Sequence, residues 1–165
     1  VGAPSLVRAR MIYGDAALQQ GFAKVRKSVL TKARDVDQLR QDVADMRVKM
    51  RDHLGSKQAD KFHIKQDPGG ITDIEFITQY LVLANSHDEP ALTRWSDNVR
   101  ILEDMAQAGI VSTPQALALR DAYVLMRDEI HRLNLLDASV EVADSEFTAQ
   151  RDVVREAWSM WMQSK

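Results

Sequence analysis

The sequence predicts an all-α fold, a helical bundle of about five long helices plus a shorter leading helix, and three observations predict it. Apolar residues recur at three- and four-residue steps in separate segments along almost the whole chain. Glycines, prolines and capping residues fall between those segments, where helices stop and start. No run alternates apolar and polar residues between turn clusters, the pattern of a half-buried strand.

The leading helix follows Gly14-Asp15, with Asp15 as N-cap and Leu18, Phe22, Val25 and Val29 as its stripe. Asp35 caps the next, whose stripe runs Val36, Leu39, Val43, Met46, Met50, Leu54 until Gly55-Ser56. A third opens at Gly70, after Asp67-Pro68-Gly69. Ile71, Ile74, Ile77, Leu81 and Ala84 form one stripe on it and Phe76, Tyr80 and Leu83 another, so it should be central. After Pro90, the residues Leu92, Trp95, Val99, Leu102 and Met105 form one helical segment ending near Gly109. Thr113 is the expected N-cap of the next, with Pro114 at its first helical position and Leu119, Tyr123, Met126, Ile130 and Leu133 inward. The last helix, Asp144 to Met162, brings Phe147, Val154, Trp158 and Trp161 to one side. Buried Trp needs a partner for its indole N–H, and Trp161 between Met160 and Met162 hints at an apolar docking patch.

At 165 residues the chain suits one helical domain over 1–165, and a domain of that size buries roughly 70% of the surface its unfolded chain exposes. Hydrophobic residues make up 45% and charged residues 28%, so disorder is not indicated. There is no cysteine, which excludes disulfides and thiolate metal sites and suits a reducing cytoplasm. The longest strongly apolar run, Tyr80 to Ala84, is far too short to cross a membrane, and the N-terminus lacks the layout of a signal peptide. The chain begins at Val1 and not at Met, and is read as a fragment. The net charge of −2 hides a split: residues 1–65 carry 14 Lys/Arg against 7 Asp/Glu, whereas residues 66–165 carry 8 against 17. Such asymmetry fits a face for an acidic partner or, equally, ordinary solvated faces.

Candidate chemistry concentrates in Lys65-Gln66-Asp67-Pro68-Gly69-Gly70-Ile71-Thr72-Asp73-Ile74-Glu75-Phe76. Asp73 and Glu75 invite comparison with the paired carboxylates that hold magnesium. On a helix, however, residues two apart sit about 200° apart and do not converge on one ion. The glycines have two readings. Gly69 and Gly70 let helix N-terminal N–H groups approach a phosphate, helped by Lys65, or they allow tight packing while Asp67 or Thr72 supplies capping contacts. Arg40, Arg47 and Arg51 form one basic stripe beside the apolar one, either an interface or a solvated flank. The histidines His53, His63, His87 and His131 show no metal-ligand spacing.

The pattern K-x-x-x-G-G-I-x-D-I-E-F, followed by Gln79-Tyr80-Leu81, resembles the helical domain that follows each nucleotidyltransferase domain in the glutamine synthetase adenylyltransferase/adenylyl-removing enzyme family. Further parts of the chain resemble the same domain: Arg8-Ala9-Arg10 with Tyr13-Gly14-Asp15, Met46-Arg47 through His53-Leu54, and Leu92 to Arg100. Asp67-Pro68 and Thr72-Asp73, where the adenylyl-removing half typically has Gly-Arg and Arg-Glu, fit the adenylyl-transferring half at the C-terminal end of such proteins. The family's catalytic pattern of Gly-Ser followed by Asp-x-Asp is absent, since the one Gly-Ser, Gly55-Ser56, is trailed by Asp60-Lys61-Phe62.

The resemblance therefore implies a catalytic nucleotidyltransferase domain upstream, no catalytic residue and no bound metal here, and a fragment inactive alone. It implies a whole enzyme that uses ATP and Mg2+ to move AMP onto a tyrosine of glutamine synthetase in nitrogen regulation. Implied partners are that upstream domain, glutamine synthetase and the PII signal protein, with no nucleic acid and no membrane. Lys65, Gly69, Gly70, Asp73 and Glu75 would face the nucleotide or catalytic domain, and Arg8, Arg10, Arg40, Arg47 and Arg51 would serve interfaces. An alternative is a regulatory docking module for PII or glutamine, remote from the nucleotide. The first reading turns the polar signature toward the catalytic domain, the second toward open solvent.

Overall fold

The computed structural model describes residues 3–163. Seven α-helices follow one another: α1 (Ala3–Val7), α2 (Ala16–Leu30), α3 (Val36–Leu54), α4 (Ile71–Asn85), α5 (Asn98–Gln107), α6 (Thr113–Leu135) and α7 (Thr148–Met162). A 3₁₀ turn (Pro90–Thr93) precedes α5. The expected all-α class holds. One departure is a pair of three-residue antiparallel strands, β1 (Lys61–His63) and β2 (Glu141–Ala143), with Phe62 opposite Val142. Each is too short to show a period-two pattern in sequence.

Helix α4 is the hub. It packs against α1, α3, α5, α6, α7 and the 3₁₀ turn, and eleven of its fifteen residues are buried. Its two apolar stripes thus meet neighbours on opposite sides, as expected of a central helix. Ile74, Ile77 and Val82 are fully enclosed, together with Leu30, Phe62, Met105, Met126 and Val154 from five other elements.

The helix starts follow local capping chemistry. Asp15, Asp35 and Asp97 accept backbone N–H bonds at the starts of α2, α3 and α5. Ser112, not Thr113, caps α6, in a reciprocal capping box with Gln115, so Pro114 stands one position later than expected. The segment expected to run unbroken through Leu92 and Trp95 is interrupted, because Asp97 starts a new helix. Trp95 lies in the break, 39% exposed, between the guanidinium groups of Arg94 and Arg100. The last helix begins at Thr148, not Asp144, because Glu141–Ala143 are used as strand.

Two stripes are rotated from expectation. On α2, Leu18 and Val25 are exposed and the buried residues are Arg26 and Leu30; on α3, Met46 and Leu54 are exposed and the buried residues are Val43 and Arg47. An arginine occupies a core position in each. No helix among the described residues is long and apolar enough to cross a membrane.

Candidate functional site

The signature turn is assembled from both ends of the chain. Strand β1 leads into it, and β2 pairs with β1 just before α7, so residues 64–70 lie beside the start of α7. Ile64 N–H donates to the Val140 carbonyl at 3.2 Å and continues that pairing. Asp67 then folds the turn on itself: its carboxylate accepts from Ser56 N–H at 2.8 Å and His63 N–H at 2.7 Å, while its carbonyl accepts from Gly70 N–H at 2.9 Å.

Both glycines are required by close approach. A Cβ on Gly70 would stand 2.5 Å from the Ile64 carbonyl oxygen, although its φ of −85° suits any residue. Gly69 has φ +89°, and a Cβ there would meet the Arg151 backbone at 2.9–3.0 Å. The turn is pressed against α7 at that point. Arg151 itself is buried, donates to Asp144 Oδ1 at 2.7 Å, and stacks over the Phe62 ring at 4.1 Å.

The other side of the turn is held by a buried ion pair. Arg47 on α3, 2% exposed, donates from Nε to Asp73 Oδ1 at 2.6 Å and from Nη2 to the Gln66 carbonyl at 2.7 Å. Asp73 Oδ2 accepts from Gly69 N–H at 2.7 Å. Glu75, two residues on, turns to Arg8 in the segment after α1. The two carboxylates therefore diverge to arginines on different elements, as their helical spacing requires.

These contacts correct several expectations. The phosphate-cradle reading of the glycine pair fails, because the N–H groups of Gly69, Gly70, Ile71, Thr72 and Asp73 all have protein acceptors: Asp73 Oδ2 and the carbonyls of Asp67, Ile64, Lys65 and Gly70. Gly69, Gly70 and Asp73 are buried within this domain and present nothing to a neighbour. Arg47, expected at an interface, is interior because its place four residues after Val43 is a core position. Gly69, Gly70 and Asp73 face the core of this domain, whereas Lys65 at the start of the signature is exposed.

The remaining candidates are accessible. Lys65 is exposed, and its carbonyl, not its ammonium, is used by Thr72 N–H. Arg8 is partly exposed beside Glu75. Arg40 pairs with Asp37 at 2.6 Å and lies over Tyr80, whereas Arg51 is half-buried without a carboxylate partner among the described residues. Arg10 is exposed on the α1–α2 loop. Met160 is exposed and Trp161 half-buried at the end of α7.

The Leu92–Arg100 stretch is cement of the same kind. Arg94 grips the Asp104 carboxylate at 3.1 and 3.2 Å, Asp97 caps α5, and Thr78 Oγ1 on α4 donates to buried Asn98 Oδ1 at 3.0 Å. Sequence reasoning missed Arg26, Asp67's double acceptance and Arg151. The first and last carried a signal, each spaced four or three residues from a core residue, Leu30 and Val154.

A family model described as GlnD PII-uridylyltransferase matches residues 37–142, from α3 through β2 and including the whole signature. The chain belongs to that family. A relative from Vibrio parahaemolyticus serotype O3:K6 (strain RIMD 2210633), named bifunctional glutamine synthetase adenylyltransferase/adenylyl-removing enzyme, is 53% identical over 157 residues. That match covers 95% of this chain and 17% of the relative, so the chain spans only a small part of that protein's length. The resemblance expected from the signature is borne out.

Proposed function

We propose that this chain is the helical accessory domain of a glutamine synthetase adenylyltransferase, on its adenylyl-transferring side, supporting transfer of AMP from ATP to a tyrosine of glutamine synthetase. The observation that carries this reading is the 53% identity along 95% of the chain to a protein bearing that name. The signature residues do not fit a magnesium nucleotide: both carboxylates are held by arginines, the helix N–H groups are occupied, and no cluster of three or more metal-ligating side chains occurs among the described residues. ATP and Mg2+ are therefore assigned to a catalytic domain elsewhere in the longer protein, where metal and fixed charges stabilise the transferring phosphoryl group. This domain's own residues supply a rigid wall that holds that catalytic domain in place. Lys65, Arg8, Arg10, Arg40 and Arg51 are its accessible docking groups, glutamine synthetase and PII its partners, and the cytoplasm its location.

The test has two arms. The purified chain, incubated with glutamine synthetase, ATP and Mg2+, is expected to leave the target unmodified. In the full-length enzyme, Arg40→Glu with Arg51→Glu is expected to lower AMP transfer without changing the melting temperature of the isolated chain by more than about 3 °C. AMP transfer by the chain alone, or full activity of the double variant, would overturn the reading. Exposed Ile12 and Tyr13 on the α1–α2 loop favour a second reading, a purely regulatory docking module for PII or glutamine remote from the nucleotide site, which saturable PII binding to the isolated chain together with full AMP transfer by the Arg40/Arg51 double variant would support.

A further inference from the structure

We infer that the cleft between the α1–α2 loop, α2 and the 3₁₀ turn binds a phosphorylated small molecule of nucleotide size, independently of the reading above. The cleft is open to solvent and offers about 720 Å3, a volume within the range of small-ligand sites. Arg10, Arg26, Lys27 and Arg94 line it and no carboxylate does. Of fourteen arginines in the sequence, ten pair with a carboxylate among the described residues. Two of the other four, Arg10 and Arg26, lie in this cleft.

Arg26 makes the cleft a built site. It is buried, and its guanidinium donates to the carbonyls of Leu6 at 2.8 Å, Val7 at 2.6 Å and Trp95 at 3.0 Å, and to that of Thr93. Those carbonyls take four of its N–H bonds but bring no negative charge, and burial lowers its pKa from the ordinary arginine value. One side chain thereby ties the end of α1 to the segment before α5, which holds the two walls at a fixed separation. Arg94 is held against Asp104 and Trp95.

The donors left for a ligand are Arg10 and Lys27, both exposed and without a carboxylate partner among the described residues. Asp15 caps α2 and Glu89 precedes the turn, and neither lines the cleft. A forked guanidinium and an ammonium beside a fixed positive floor suit phosphoryl oxygens. Met11, Phe22 and Pro90 add an apolar wall against which a ring can lie.

Calorimetric titration of the purified chain in 50 mM NaCl, with ATP, tripolyphosphate and adenosine as separate probes, tests this. ATP and tripolyphosphate are expected to bind saturably with a Kd below about 1 mM, ATP the tighter if the apolar wall contributes, and adenosine not measurably. Arg10→Glu with Lys27→Glu is expected to weaken both anions at least about tenfold, and Lys49→Glu on α3 to leave them unchanged. Should the double reversal disturb the circular dichroism melt, Arg10→Gln with Lys27→Gln is used, with a weakening of at least about threefold expected. The inference is overturned by absence of anion binding, by an equal loss in the Lys49 variant, or by binding of adenosine as tight as that of ATP.

Discussion

Replacing Asp73 by Ala should be among the most damaging single changes in this domain. It leaves Arg47, 2% exposed, as a buried cation whose one remaining partner is the Gln66 carbonyl, and strips Gly69 N–H of its acceptor. Removing one member of a buried ion pair typically costs about 3–5 kcal/mol, more than the pair itself contributes, because the abandoned charge stays desolvated. Arg47→Met should cost less, about 2–3 kcal/mol, since Asp73 retains the Gly69 bond and the thioether fills part of the space. The pair is not ideally satisfied: Arg47 Nη1 is buried without a protein acceptor. The double variant, Arg47→Met with Asp73→Leu, should therefore recover much of the loss, with a coupling energy of about 2 kcal/mol or more. Urea unfolding of the chain at pH 7, followed by far-ultraviolet circular dichroism, measures all three. Losses below about 1 kcal/mol for each single change, simply additive in the double, would refute the assignment of the pair as the clamp between α3 and α4.

Gly70→Ala should cost about 1–3 kcal/mol because its Cβ meets the Ile64 carbonyl, whereas Gly21→Ala, at an exposed interior position of α2 with nothing nearby, should stabilise by about 0.5–1 kcal/mol; thermal melts of the two variants shifting alike would remove the close-packing argument. Arg8→Ala and Glu75→Ala, which open the partly exposed tie between the α1 segment and α4, should each cost less than Asp73→Ala and show coupling in a double-mutant cycle, and additivity would show the tie to be idle. The hydrogen bond from Arg132 holds the Glu129 carboxyl below its ordinary range. Its contribution is thus present above the unfolded carboxyl value and fades as pH falls through the lower folded value, so the small melting-temperature deficit of Glu129→Gln should be seen at pH 7 and shrink toward pH 3; a deficit independent of pH would contradict it.

The sequence by itself determined the helices, because their signals are local. Apolar periodicity, the caps at Asp15 and Asp35, and the Pro-Gly-Gly turn act within one or two helical turns; the two caps and the turn appear where they were read, and the periodicity marks real helices although the stripes of α2 and α3 are rotated. The two stripes of α4 made its central place legible for the same reason. The divergence of Asp73 and Glu75 also follows from helical geometry alone. What each polar residue of the signature touches was decided only by the tertiary structure, since the partners lie at distant positions: Arg47 is 26 residues from Asp73, and Arg26 is 67 from Thr93. Periodicity ranks residues by polarity, so it moved the stripes of α2 and α3 off their arginines and onto exposed Leu18, Val25 and Met46. A charged side chain occupies a core position only when another element brings carbonyls or a carboxylate to it. Packing supplies those partners, and with them the difference between a surface that waits for a ligand and a turn that holds the domain together.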